Sequence, residues 1–287
     1  QGLAIGTAAY QAAVEFANDR LQGRSLTGAK NPDGPADPII VHPDVRRMLL
    51  TGKAYVEAGR AFSSWVALMI DQEHAHPDPA VRAECTELVA LLTPVVKAFL
   101  TDNAHETTNL ALQVYGGHGY IQEWGMEQFV RDARINMIYE GTNGIQALDL
   151  LGRKVLMDGG KRLGLLGARI RAFAEAQAGR EDMAPFVAAL ADLGQKVQAL
   201  TLEVGARAQA NPDEVGAASV HYLRVVGHLV FAWFWARMAR VAADRLAEGA
   251  ADAGFYQAKL ATARFYFERL LPETAWHIRA ARSGAGN

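Results

Sequence analysis

The chain has 287 residues, half of them hydrophobic, which is enough for two domains of ordinary size or one large helical domain with a substantial core. A formal charge of −2, with no dense Lys/Arg run interleaved with aromatics, gives no general attraction to phosphate backbones, so nucleic acid is not an expected partner. Cys85 is alone; a disulfide framework or a cysteine-built metal site within one chain is excluded, and a reducing, cytoplasmic compartment fits.

Gln1-Gly2-Leu3-Ala4-Ile5 enters an apolar helical pattern with no initiator Met, no N-cap and no secretory signal, and the chain reads as a fragment. A first helix is expected over 3–24, with Leu3, Tyr10, Val14 and Ala17 on its apolar face. Residues 25–38, rich in Gly, Pro and Asp, read as a loop. From Val45 to Pro77 apolar residues (Met48/Leu49, Tyr55/Val56, Phe62, Val66, Met69/Ile70) recur at the helical spacings of three, four and seven, which predicts a long amphipathic helix. A third helix is expected over 79–115 through Cys85, Leu88, Leu91, Val95 and Phe99, kinked at Pro94 and ended by Gly116 and Gly117. A tight Gly/Tyr loop, a short helix over 126–134, a junction at 138–141 and a helix over 142–157 follow.

Asp158-Gly159-Gly160 is the natural domain boundary, separating residues 1–157 from 161–287. Beyond it, helices are expected over 161–177, 184–210, 212–248 and 254–281, the third opened by Asn211-Pro212-Asp213-Glu214. The apolar stretch 225–236 is shorter than the roughly 20 residues that span a bilayer and reads as a buried core helix. Phe231, Trp233, Phe234 and Trp235 within it read as core packing. No stretch alternates with period two, so the fold class is all-α, two antiparallel helical bundles in series.

Tyr139-Glu140-Gly141-Thr142-Asn143 places a carboxylate between an aromatic residue and a glycine at a helix entrance. Such a carboxylate can be semi-buried, and desolvation raises its pKa toward the range of a general base. Gly141 permits close backbone approach, and Thr142 offers a hydroxyl at the new helix N-terminus. On these residues alone, a capping turn in which Glu140 complements the helix dipole is the favoured reading. Upstream, Gln113 precedes Gly116-Gly117-His118-Gly119-Tyr120, whose glycines suit either a phosphate or a plain helix C-cap. Arg20, at a helix end, suits a pyrophosphate or solvent. The His74 and His76 pair does not share a helix face, and no metal is expected.

Taken in order, Asp19-Arg20, Gln113 with GGHGY, Arg131-Asp132-Ala133-Arg134 and Ile138-Tyr139-Glu140-Gly141-Thr142-Asn143 with Ile145-Gln146 resemble the acyl-CoA dehydrogenase carboxyl-terminal domain over residues 2–155. The part from Lys161 onward is similar in arrangement to the extra helical domain of larger members, including the 3-methylmercaptopropionyl-CoA dehydrogenase group. The resemblance implies that Glu140 takes the α proton of an acyl-CoA thioester while the β hydrogen leaves as hydride to FAD, giving a 2-enoyl-CoA. It further implies that Gly141 meets the thioester, and that Thr142 and Asn143 lie against the FAD. Arg20, Gln113, Gly116 and Gly117 would contact the pyrophosphate and adenosine end of an FAD held mainly by a partner subunit of a homodimer. Electron-transfer flavoprotein is the implied acceptor; an acyl-CoA oxidase, or a non-catalytic interaction module, are the alternatives. Leu21-Gln22-Gly23, His42-Pro43 and Gly144 depart from the family pattern, and the family's amino-terminal helical and middle β domains have no counterpart in the chain.

Overall fold

The computed structural model describes residues 1–286, and every regular element among them is a helix. The chain forms two compact units, one from Gln1–Glu57 and Leu100–Glu140, the other from Ala58–Phe99 and Gly141–Asn287. The long helices α2 (Pro43–Ala75) and α3 (Pro79–Tyr115) contribute residues to both, and α3 continues through Pro94.

In the first unit, α1 (Gly2–Asp19) packs on α5 (Met126–Ile135) and on the unit's parts of α2 and α3. Its core gathers Ala9, Ala13, Ala17, Met48, Leu49 and Val114. Of the face expected from Leu3, Tyr10, Val14 and Ala17 only Ala17 is buried, the other three being half-buried; Gly2, Gly6, Ala9 and Ala13 complete the buried positions. Their small size explains the difference, because a Cβ at Gly6 would stand 3.3 Å from the Ala104 backbone. A helix that approaches this closely buries its smallest residues, and the larger ones flank the contact.

α1 ends at Asp19, short of the expected residue 24, because Arg20 turns extended and its carbonyl accepts the Ile39 N–H at 2.8 Å. The following loop is ordered around Asp37, a fully buried carboxylate. It accepts N–H groups of Ser25, Lys30 and Asn31 and an Arg24 guanidinium N–H. Those donors, Ser25 first, hold its pKa down at about 2 against the effect of burial. The expected Gly/Tyr loop is a one-turn helix, α4 (Gly117–Tyr120).

The second unit is organised by α9 (Asp213–Ala247), which packs on α6 (Asn143–Leu148), α8 (Ala184–Ala210), α10 (Ala253–Phe265) and α11 (Glu273–Arg282). By length and composition α9 could cross a membrane, yet 72% of its apolar window is buried inside the protein, as a core helix requires. Its rings meet Phe62, Trp65 and Phe99: Phe99 to Phe231 at 4.8 Å and Trp65 to Trp233 at 5.1 Å. Just before α9, the Asn211 side-chain oxygen accepts the N–H of Asp213, the helix's first residue, at 3.1 Å. α7 (Lys161–Glu175) packs on α8.

Two expected α-helices are not uniform. Residues 142–157 form α6 and then a π-helical stretch, Asp149–Leu156, and 254–281 divide into α10, a π-helical turn at Tyr266–Leu270 and α11. The second break is chemical, since Pro272 has no N–H to continue the ladder and the chain restarts at Glu273. The first has no local signature in its side chains.

At the centre of this unit His228 is fully buried, its Nδ1 2.9 Å from the Tyr266 hydroxyl. Its Nε2 stands 3.7 Å from Glu273, too far for a hydrogen bond, and is buried without one. Glu273 itself accepts from Arg224 and His277, each at 2.7 Å. Burial pushes the Glu273 carboxyl up; its histidine and arginine partners outweigh that and hold it below the usual range. Burial lowers His228 from 6.5 to about 4. A histidine whose folded pKa is depressed leaves the unfolded chain binding more protons between those values. Stability from this group is therefore complete above pH 6.5 and is lost as pH falls toward 4, on the order of 3 kcal/mol in all. Urea midpoints of the full-length protein at pH 7.5 and 5 are expected to show this loss, and His228→Leu to remove much of it; an unchanged slope in the variant would refute the assignment.

Candidate active site

α5 ends at Ile135, and the chain then winds through a tight turn whose upstream flank is fixed by side chains. The Tyr139 hydroxyl donates to Asn136 Oδ1 at 2.9 Å, and the buried Asn136 donates to the Asp132 carbonyl at 3.0 Å. Glu140 follows at φ 53, the one non-glycine residue with positive φ among those described. The left-handed conformation crowds a Cβ against its carbonyl and costs about 1–2 kcal/mol. Gly141 continues the turn at φ 82, where a Cβ would also come within 2.8 Å of Gln146 Nε2. Two successive left-handed residues carry the carboxylate onto the surface: Glu140 is exposed, not semi-buried as its neighbours in the sequence suggested.

Downstream, Thr142 is the N-cap of α6, its hydroxyl accepting the Ile145 N–H at 3.3 Å. Asn143 is held in the second unit from both ends of its amide. Lys97 Nζ donates to its Oδ1 at 2.7 Å, and its Nδ2 donates to the Ala98 carbonyl at 3.2 Å. Of the residues singled out from the sequence, Gly141, Thr142 and Asn143 lie together here, and Glu140 adjoins them along the chain.

Arg20, Gly116 and Gly117 come together elsewhere, in the first unit, along a groove of about 450 Å3. Gly116 adopts φ 59, ψ −139, a region that only glycine populates, and its N–H donates to the Gln113 carbonyl at 3.0 Å. A Cβ built on Gly116 or Gly117 would meet nothing within 4 Å, so both open onto free space. Gln113 is exposed on the last turn of α3 and is not part of the groove wall. Arg20 is exposed, bonded weakly to Gln22 Oε1 at 3.4 Å, so its guanidinium retains donors for an anion. The groove thus joins a cation, a cradle without side chains and an aromatic wall, a combination that fits a phosphorylated aromatic ligand.

That aromatic wall was not evident in the sequence. Phe16 stacks on Tyr115 with ring centroids 4.1 Å apart, and Trp124 stands edge-on to Phe16 at 5.5 Å and to His118 at 5.0 Å. Burial pushes the Tyr115 hydroxyl pKa up, and the neutral O–H donates to the Ala12 carbonyl. One signal was available: Phe16 precedes Arg20 by four positions, the spacing that puts two residues on one side of the helix expected over 3–24.

Comparison with known proteins bears directly on these elements. Residues 2–156 match the family described as acyl-CoA dehydrogenase, C-terminal domain, and residues 166–287 match that described as acetyl-CoA dehydrogenase C-terminal like. The chain is 41% identical to 3-methylmercaptopropionyl-CoA dehydrogenase of Ruegeria pomeroyi, over 99% of this chain and 48% of that protein. It is 35% identical to the broad-specificity linear acyl-CoA dehydrogenase FadE5 of Mycobacterium tuberculosis, over 95% of this chain and 46% of that protein. The chain thus spans about half the length of the curated relatives it matches. Among solved structures, an acyl-CoA dehydrogenase complexed with FAD from Bacillus anthracis covers 100% of this chain and 48% of its own, with a TM-score of 0.76 at 18% identity. Acyl-coA oxidase1 from Yarrowia lipolytica covers 99% of this chain and 44% of its own, with a TM-score of 0.70 at 17% identity. With the glutamate turn and the glycine cradle both inside the first matched region, the chain belongs to the acyl-CoA dehydrogenase family as a carboxyl-terminal helical part of it.

Proposed function

We propose that the chain supplies the base for FAD-dependent α,β-dehydrogenation of an acyl-CoA thioester. Glu140 carries the reading: a surface carboxylate held in a costly backbone conformation beside a glycine that admits close approach. Its carboxylate takes the α proton, the electrons of that C–H bond form the new double bond, and the product is a 2-enoyl-CoA. Gly141, lacking a Cβ, lets the thioester reach the backbone. FAD, when bound, supplies the acceptor for the β hydrogen and its electron pair. Arg20 would pair with its pyrophosphate, Gly116 and Gly117 would let the chain approach it, and Gln113 would reach its adenosine end. Thr142 would offer a hydroxyl on the ring side, whereas the amide of Asn143 is already engaged by Lys97 and Ala98.

The remaining groups of the site belong in this reading to other segments of the whole protein and to the partner subunit of a cytoplasmic homodimer, with electron-transfer flavoprotein as acceptor. An acyl-CoA oxidase, a reaction that the same fold also hosts in the Yarrowia enzyme, is the second reading. Anaerobic mixing of FAD-loaded full-length protein with a panel of acyl-CoA thioesters is expected to bleach the flavin absorbance with at least one of them. No bleaching with any thioester would overturn the proposal, and rapid peroxide formation in air would replace the dehydrogenase by the oxidase.

A further inference from the structure

The glutamate turn is strained, and strain persists only where the surroundings hold it. On the upstream side the hold is local, through Tyr139, Asn136 and Asp132. On the downstream side it comes from 46 residues away: Lys97, half-buried in α3, spends an ammonium hydrogen bond on the Asn143 amide oxygen at 2.7 Å. The same amide's nitrogen is turned to the Ala98 carbonyl, so the side chain is gripped as a two-point clamp by consecutive residues of one helix. A charged donor to a neutral acceptor makes a stronger bond than two neutral groups, and partial burial strengthens it further. Asn143 lies three positions after Glu140 at the first turn of α6. A clamp there fixes where α6 begins, and with it the end of the chain from which the carboxylate projects.

We infer that Lys97 is a positioning residue for the reaction, setting the placement of Glu140 through Asn143; this rests on the proposed role of Glu140 as base. Lys97 has no part in proton transfer. Its loss lets the turn relax out of its left-handed conformation, and a base displaced by about 1 Å costs up to about 100-fold in rate.

The test compares Lys97→Met, Lys97→Arg and Asn143→Ala with wild type and Glu140→Gln, all as FAD-loaded full-length protein. The readings are the limiting rate of anaerobic flavin reduction per bound flavin, the thioester saturation constant, and the isotope effect with α-deuterated thioester. Lys97→Met and Asn143→Ala are each expected to slow reduction about 10- to 100-fold, to leave saturation within about threefold and to raise the α-deuterium isotope effect. Lys97→Arg, which keeps a charged donor, is expected to recover most of the rate. The double variant is expected to be scarcely slower than either single one, because both remove the same bond. A Lys97→Met rate per flavin equal to wild type, or a fall with no change in isotope effect, would overturn the positioning role while Glu140→Gln remained inactive. If Glu140→Gln itself reduced flavin normally, the reading of Glu140 as base would be the one that failed. Asn143→Ala keeps Lys97 in place and so decides the matter should Lys97→Met not fold.

Discussion

Glu140→Gln in the full-length, FAD-loaded protein is expected to slow flavin reduction by an acyl-CoA about 1,000- to 10,000-fold, with thioester binding changed little. The amide keeps the size and reach of the side chain but loses the charge and the ability to accept a proton, so the rate loss reads the base. Stopped-flow absorbance under anaerobic conditions reads the rate, and its dependence on thioester concentration reads binding. A reduction rate within a few-fold of wild type would show that the proton goes elsewhere, whatever the family. Glu140→Asp is a useful companion, since it keeps the base and withdraws it by one methylene; a loss between wild type and the amide is expected from geometry alone.

Phe99→Ala is expected to destabilise the protein by about 3–5 kcal/mol, the usual cost of removing a fully buried phenyl ring. The ring is 0% exposed, meets His228 at 5.0 Å and Phe231 at 4.8 Å, and takes the Arg224 guanidinium over its face at 4.8 Å. It also sits directly on Gly227, where a Cβ would fall 2.4 Å from the ring carbons. Alanine at 227 would gain up to about 1 kcal/mol of helix propensity, but the ring atoms in the way are close to its own backbone and cannot swing aside. Gly227→Ala is therefore expected to be destabilising by about 1–3 kcal/mol, and less so in combination with Phe99→Leu. Urea midpoints for the four proteins close the cycle. Additive losses, or a Gly227→Ala protein more stable than wild type, would show that the contact does not limit packing.

The long helices were legible because helical spacing over more than twenty positions leaves no other period, as in α2 from Met48 to Met69. The buried face of α1 was not, since hydrophobicity ranks Leu3 and Tyr10 above Gly2 and Gly6, whereas close packing ranks by size. The π-helical stretch at Asp149–Leu156 adds a residue per turn without altering the composition that periodicity reads. In the site, the wording around Glu140 and Gly116 was legible residue by residue. Its exposure, its positive φ and the hold of Lys97 on Asn143 were not, because each depends on backbone angles or on residues far apart in sequence. The same limit hid Tyr115 beside Phe16, joined only once α1 and α3 pack.

Position 140 sets two selective pressures against each other. The backbone there, at φ 53, suits glycine best and asparagine next, and a glutamate gives up stability to occupy it. Mutation followed by a screen for thermal tolerance alone would thus drift away from glutamate at this codon, and only a simultaneous demand for turnover would retain it. On the proposed role of Glu140 as base, lineages of the whole protein released from that reaction should carry the record of the release first at residue 140, as a small or amide side chain in a turn whose shape is otherwise kept.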